Sequence, residues 1–251
     1  MAVLETTPAL RTHDNFALAR LFNWWRQPGG ERLRRVNRRL GRWRVPFVLQ
    51  GRLDPSRDMT SLEQRMNLWM LAEQVTGYGV PGDFAEFGCF DGGTATLFGQ
   101  VLRDFGPGRR LHLYDRFDVK FHLRNRNIEE EVRRNFEAAG CPQPVIHRGD
   151  FERTVPDRLP GCIAFAHIDC GFGGDAREHA RMVSWLLGYI YPRMPSGALA
   201  VIMDYRHPAL TSVEECNPGS RLGADEFMAD KPETLTALYA GEACHAFFRK
   251  R

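Results

Sequence analysis

The 251-residue sequence holds no run approaching the eighteen or so consecutive apolar residues that a membrane-spanning helix needs. Its opening, MAVLETTPAL, has no basic stretch followed by an apolar one. Neither a membrane span nor a secretory signal is therefore predicted. Internal repeats and low-complexity tracts are lacking, which excludes solenoids and disordered polar chains. The six cysteines (Cys89, Cys141, Cys162, Cys170, Cys216, Cys244) do not have the paired spacing of a zinc site. A chain long enough to bury one substantial core needs no disulfide staples, so reduced thiols in a cytoplasm are expected. The G-x-G-x-x-G of a pyrophosphate cradle is missing too.

What is present is ordinary for a globular chain: 43% hydrophobic and 26% charged residues. The net charge of +3 is unevenly spread, because residues 11–44 hold ten arginines against Asp14 and Glu31, a local +8 that leaves −5 elsewhere. A basic segment can be a phosphate-binding footprint. Here Leu21, Phe22, Trp24, Trp25, Leu33, Val36, Leu40 and Trp43 interleave with the arginines. That mixture favours amphipathic helices docking on a partner subunit or covering a site over nucleic-acid binding. The expected organisation is a basic, aromatic-rich helical extension over residues 1–57 and one domain over 58–251, assembled as a homodimer or higher homo-oligomer.

Along residues 58–251, Thr60 or Ser61 followed by Glu63 or Gln64 resembles a capping box, opening a helix that ends near Gly77 and Gly79. Short apolar strands are predicted at 83–88, 111–114, 144–147, 163–168 and 198–203. Helices are predicted from Gly92-Gly93 to Phe105, over 128–139 and over 176–191. Residues 233–239 and 244–248 read as two terminal strands. The alternation predicts an α/β, doubly wound, mostly parallel seven-stranded sheet of Rossmann-like type.

In such sheets ligands sit beyond the carboxyl ends of the strands. The residues there are mostly acidic: Glu86, Asp115, Asp150, Asp169 and Asp204 each lie in or just after a predicted strand. One such acid is usually a turn or cap residue, but five in succession point to a ligand site. In Glu86-x-Gly88-x-x-x-Gly92, followed by Gly93, the glycines allow close backbone approach, while a carboxylate would repel a diphosphate and pair with an ammonium. Asp115 is placed to accept bonds from both hydroxyls of a ribose, with Asp150 near a base. Adenosine carrying an amino-acid tail is S-adenosylmethionine.

Several segments carry a family resemblance: Met59-Thr60-Ser61-Leu62-Glu63, Val80 through Gly88 with Gly92-Gly93, Tyr114-Asp115-Arg116-Phe117, Tyr191 through Gly197, and Met203-Asp204-Tyr205. From about Asp58 onward the chain resembles the macrocin O-methyltransferase (TylF/MycF-like) family of class I S-adenosylmethionine-dependent methyltransferases. Those enzymes methylate hydroxyls on the sugars of macrolides and related antibiotics. The resemblance implies an O-methyltransferase of a small-molecule acceptor. It also implies an acid-rich magnesium site, L-D-x-D-like after the fourth strand and D-D-Y after the fifth. Here Asp169 and Asp204 survive, but Gly171 and Met203 stand where further carboxylates would be expected. Two carboxylates and water could still hold magnesium, yet a methionine at the rim argues for a weakened or absent site, so magnesium is possible but not favoured and no metal ligand is assigned.

Without a metal, a group titrating near neutrality must take the acceptor's proton. His207, on the substrate-facing loop Tyr205-Arg206-His207-Pro208, is the candidate base beside Asp169 and Asp204, although it also reads as a surface-loop histidine. His167 and His179 read as structural. Two other classes stay open: a non-methylating enzyme or binding protein on the same fold, and RNA methylation through the Arg-rich arm.

Overall fold

The computed structural model describes residues 30–47, 49, 60–119, 127–171, 174–206, 217–240 and 243–251. The chain divides into two units, Met1–Arg57 and Asp58–Arg251.

In the first unit the described part is helix α1 (Gly30–Arg42), with Arg39 and Arg42 in its last turn, where cations complement the helix dipole. The Asn37 side chain clasps Leu49, donating to its carbonyl at 2.5 Å and accepting from its N–H at 2.7 Å. Trp43 and Phe47 are 72% and 59% exposed. Leu21, Phe22, Trp24 and Trp25 lie outside the described residues.

The second unit opens with α2 (Leu62–Gly77), where Ser61 and Gln64 form the expected capping box. Then come β1 (Asp83–Phe87), α3 (Gly93–Phe105), β2 (Leu111–Asp115), α4 (Ile128–Ala138), β3 (Val145–Arg148), α5 (Phe151–Arg158), β4 (Ile163–Ile168), α6 (Ala176–Ile190), a 3₁₀ turn (Tyr191–Arg193), β5 (Leu199–Met203), α7 (Pro218–Met228), β6 (Thr236–Ala240) and β7 (Ala243–Arg249). The seven strands form one sheet in the order β3-β2-β1-β4-β5-β7-β6. Only β7 runs against the others, antiparallel to both β5 and β6. The doubly wound, mostly parallel sheet read from the alternation of elements is what the chain forms.

Both faces of the sheet are buried, which is why β4 and β5 are apolar along nearly their whole length. On one face Phe84 and Phe165 pack at 5.1 Å, with Phe98 of α3 5.0 Å from Phe165. On the other, Phe87 stacks on Tyr114 at 4.8 Å and Tyr114 on His147 at 4.4 Å. The Tyr114 hydroxyl donates to the Arg158 carbonyl at 2.7 Å, fixing the end of α5.

Three elements depart from the sequence reading. Helix α5 forms although its sixth residue is Pro156, which has no N–H to give to the Glu152 carbonyl. Helix α7 forms in spite of Gly219 and Gly223. A Cβ at Gly223 would meet the Ala180 carbonyl oxygen at 2.3 Å, and one at Gly219 would meet His179 at 2.6 Å, so these glycines let α7 lie directly on α6. Finally, β6 begins at Thr236, not Glu233. Glu233 is instead a buried carboxylate accepting from the Tyr191 hydroxyl at 2.7 Å and the Arg251 N–H at 2.9 Å. Burial opposes its charge, yet those bonds and Lys250 hold it down to about 2.

Candidate active site

The strand order reverses between β1 and β4, the point where an open α/β sheet leaves a crevice at its carboxyl edge. Gly88, directly after β1, has φ +83°, and a Cβ there would lie 1.9 Å from the Asp169 carbonyl oxygen. Only glycine lets the first loop pass the end of β4. The Asp169 N–H donates to the Phe87 carbonyl at 2.8 Å and the Gly88 N–H to the Tyr114 carbonyl at 2.9 Å, so the ends of β1, β2 and β4 are stitched together. Phe90, Phe117 and Asp204, which follow β1, β2 and β5, have φ of 44°, 55° and 56°. Left-handed backbone at such residues costs on the order of 1–3 kcal/mol each and concentrates at functional sites.

Asp115, at the end of β2, organises the first loop. Its Oδ2 accepts from the N–H groups of Cys89 (2.8 Å) and Phe90 (3.1 Å), and its Oδ1 from that of Phe117 (2.7 Å). Gly92 caps α3 in the left-handed conformation, with the Val132 methyls 3.2 Å from where its Cβ would be. Gly93 opens α3, donating its N–H to Asp91 at 3.2 Å. Asp150 sits exposed at the start of α5, makes no capping bond with its side chain, and lies 3.6 Å from Arg116 Nε.

Glu86 does not reach the rim as an open carboxylate. It is 1% exposed, with Oε1 3.0 Å from His167 Nδ1. Burial first, and the Asp115 charge second, push it well above the usual carboxylate range. Burial also takes His167 down to about 4 against the pull of Asp169 and Asp204. Both shifts favour the uncharged forms, and the burial of Glu86 against His167 corrects the expectation of an open carboxylate facing the ligand. Glu86 Oε2 and His167 Nε2 are buried without a partner.

Asp169 follows β4 and Asp204 follows β5. Burial and then the Asp204 charge push Asp169 up to about 7. Asp204 Oδ2 accepts from Asn217 Nδ2 at 2.5 Å. Met203, expected at the rim, is instead the last residue of β5, 3% exposed and opposite His245 in the sheet. His207 lies outside the described residues. His179 is buried, with Nε2 3.6 Å from Cys170 Sγ, as a structural histidine would be.

Two residues of this region were not singled out from the sequence. Arg65 on α2 is 6% exposed and donates from Nε to Thr60 Oγ1 at 3.1 Å; its Nη2 would lie 3.7 Å from a Cβ on Gly93, bringing α2 against the first loop. Asn217 could have been found from Asn-Pro, a helix-start signal.

The sequence profile of the macrocin-O-methyltransferase (TylF) family matches residues 50–217. The chain belongs to this family. It is 30% identical over 180 residues to the 8-demethyl-8-(2,3-dimethoxy-alpha-L-rhamnosyl)-tetracenomycin-C 4'-O-methyltransferase of Streptomyces olivaceus, a match covering 62% of this chain and 66% of that one. The matched region is thus just under two thirds of that relative's length. Among solved structures the chain is similar to the O-methyltransferase NovP, at 22% identity and TM-score 0.59, over 75% of this chain and 80% of that one. It is also similar to an O-methyltransferase from Bacillus cereus solved with SAH, at 13% identity and TM-score 0.54, over 94% and 99% of the two chains. These two likenesses concern the fold.

Membership of the macrocin O-methyltransferase family raises the question of magnesium, and the described residues do not fit it. No group of three histidine, cysteine or acidic side chains among them is placed to hold an ion. The side chain placed against Asp204 is an amide presenting its N–H₂ to the carboxylate.

Proposed function

We propose that the chain is an S-adenosylmethionine-dependent O-methyltransferase acting on a hydroxyl of a sugar or other natural-product intermediate. The observation that carries this reading is the juxtaposition across the β1/β4 switch point. A glycine-shaped loop is fastened to Asp115 on one side, and the acidic couple Asp169 and Asp204 stands on the other. Gly88, Gly92 and Gly93 line the methionine end of the donor, and Glu86 beneath them offers the unpartnered Oε2 as a hydrogen-bonding group. Asp115 holds the ribose through the remaining lone pair of Oδ1, Asp150 lies by the adenine, and Asp169 closes the donor site towards the acceptor.

Methyl transfer is an in-line displacement at the sulfonium carbon, with the acceptor oxygen held about 3–3.5 Å from the methyl. The C–O bond forms as the S–C bond breaks, the thioether leaves neutral, and the hydroxyl proton goes to Asp169. A carboxylate raised to about 7 is a fitting base at neutral pH. The neighbouring Asp204 raises the proton affinity of Asp169, strengthening it as the acceptor of that proton. His207 is the second candidate for the same proton.

The relative's rhamnosyl acceptor supports a sugar hydroxyl as the target. No helix among the described residues is long and apolar enough to cross a membrane, and the five described cysteines are free thiols; a cytoplasmic enzyme fits both. The exposed Trp43 and Phe47 support a homo-oligomer contact or acceptor lid built from the first unit. Deleting residues 1–44 should then alter mass in solution or acceptor binding, and unchanged mass with full activity would remove that role.

The direct test is incubation with methyl-labelled S-adenosylmethionine and extract of a producing strain, with label expected in a small-molecule product. Donor binding without any labelled product would favour a binding protein on this fold. Label in RNA, with salt-sensitive RNA binding, would move the acceptor to nucleic acid.

A further inference from the structure

Asn217 stands immediately before Pro218, the first residue of α7, where an asparagine ordinarily turns its side chain back to cap its own helix. It makes no such bond. Its side chain reaches back across thirteen residues to Asp204 Oδ2 instead. The space it occupies is made by Gly171: a Cβ at 171 would stand 2.5 Å from Asn217 Nδ2, 2.8 Å from its Cγ and 3.0 Å from Asp204 Oδ2. Gly171 is therefore a cleared volume filled by the amide, and not only a position from which a carboxylate has been lost. The left-handed backbone of Asp204, φ 56°, presents that carboxylate to the same volume. At Met203, the other departure, an apolar side chain is buried in the sheet beside β7.

We propose that Asn217 takes the place of a divalent cation in this macrocin O-methyltransferase family member, its amide N–H₂ bonding the Asp204 carboxylate that would otherwise be a candidate to hold an ion. Asn217 is thereby a positioning residue for Asp204, and the centre works without metal. Next to a carboxylate only the N–H₂ end of the amide is favourable; next to a cation the amide would turn to present its oxygen. The two arrangements exclude each other, so the reading is decided by whether an ion binds. It rests on the proposed methyl transfer only for its mechanistic meaning.

The full chain is titrated with Mn²⁺ and followed by electron paramagnetic resonance, with SAH calorimetry on the same samples. The expected result is no Mn²⁺ binding below about 1 mM in the wild type, and turnover unchanged by chelator. Asn217→Asp should gain Mn²⁺ affinity by tenfold or more, because a third carboxylate then faces the couple. Wild-type binding in the micromolar range would overturn the proposal, and its weakening by Asn217→Ala would make Asn217 a ligand. Failure of Asn217→Asp to gain affinity while still binding SAH normally would overturn the placement of the amide at the cation position. Should Asn217→Asp lose SAH binding through misfolding, Gly171→Asp paired with Asn217→Ala supplies the carboxylate from the opposite side, with the same outcomes. Absence of SAH binding in the wild type would instead refute the donor assignment and leave the metal result standing.

Discussion

On the β1–β2 side of the switch point the crevice is built from backbone: glycines at positive φ, and a carboxylate, Asp115, already engaged by three N–H groups. On the β4–β5 side it is built from side-chain charge. Asp169 is pushed up to about 7 beside Asp204, and an amide is diverted from its own helix to quiet the pair. The first half is preorganised to receive a ligand whose shape never varies. The second stores an electrostatic imbalance that a proton can relieve. A mutation should therefore act on binding when it falls on the first half and on the chemical step when it falls on the second.

The largest expected effect tests the second half. Asp169→Asn should lower kcat by on the order of 10²–10⁴-fold, the usual cost of removing a general base, while SAH affinity stays within about threefold. Equal losses in kcat and SAH affinity would make Asp169 a donor-binding residue and erase the contrast between the halves. The counterpart on the first half is Gly88→Ala, which forces a methyl into the Asp169 carbonyl and should cost about 3 kcal/mol or more in chemical denaturation. Gly79→Ala is the control: its φ is +66° but nothing lies within 4 Å of its would-be Cβ, so only the left-handed strain of about 1–2 kcal/mol is expected. Similar losses for the two variants would mean that the close approach of the first loop to β4 carries no energy.

A smaller effect is expected from Asp115→Ala, which removes three charge-assisted bonds from the first loop. SAH affinity should fall about tenfold to a hundredfold, with kcat at saturating donor nearly intact, since each bond to a charged group is worth roughly 1.5–3 kcal/mol and water replaces part of it. Unchanged affinity in calorimetry would show that Asp115 serves neither loop nor ribose.

The sequence made the first half more legible than the second, and for a physical reason. Strands buried on both faces are continuous apolar runs ended by glycine or aspartate, so β1 to β5 and their terminal acids could be placed within a residue or two. Asp115 was recognisable because one residue carries the whole function of its position. The second half depends on contacts between distant segments. Gly171, Asp204 and Asn217 meet only once α7 has docked on α6, and α7 docks through glycines that read locally as helix breakers. Glu86 was misjudged for the same reason, because the burial that raises it comes from packing β1 against β4, where its partner His167 lies eighty-one residues away.

The last and smallest effect concerns the buried histidines on which the sheet is closed. His245 on β7 is fully buried and neither ring nitrogen has a partner. Burial, and then His167, take it down to about 4. In the unfolded chain it would take up a proton near pH 6.5, so its contribution is fully present above that pH and is lost as pH falls from 6.5 towards 4. His147 and His167, each near 4, act in the same direction. Asp169 and Glu86 act in the opposite one, because the native state holds their protons at a pH where the unfolded carboxylates have released them. His112 and His179 are lowered by burial as well, and Glu233 is held low by its hydrogen bonds, so the lowered groups outnumber the two raised acids and stability falls on acidification, by roughly 1.4 kcal/mol per pH unit for each net proton. His245→Leu removes one histidine from that balance and no hydrogen bond with it. Its urea-denaturation free energy should match or exceed the wild type at pH 7.5, and the decline between pH 6.5 and 5 should be shallower by about one proton. An unchanged slope would mean that His245 takes up its proton over the same pH range folded and unfolded, and that burial on β7 does not hold its pKa down.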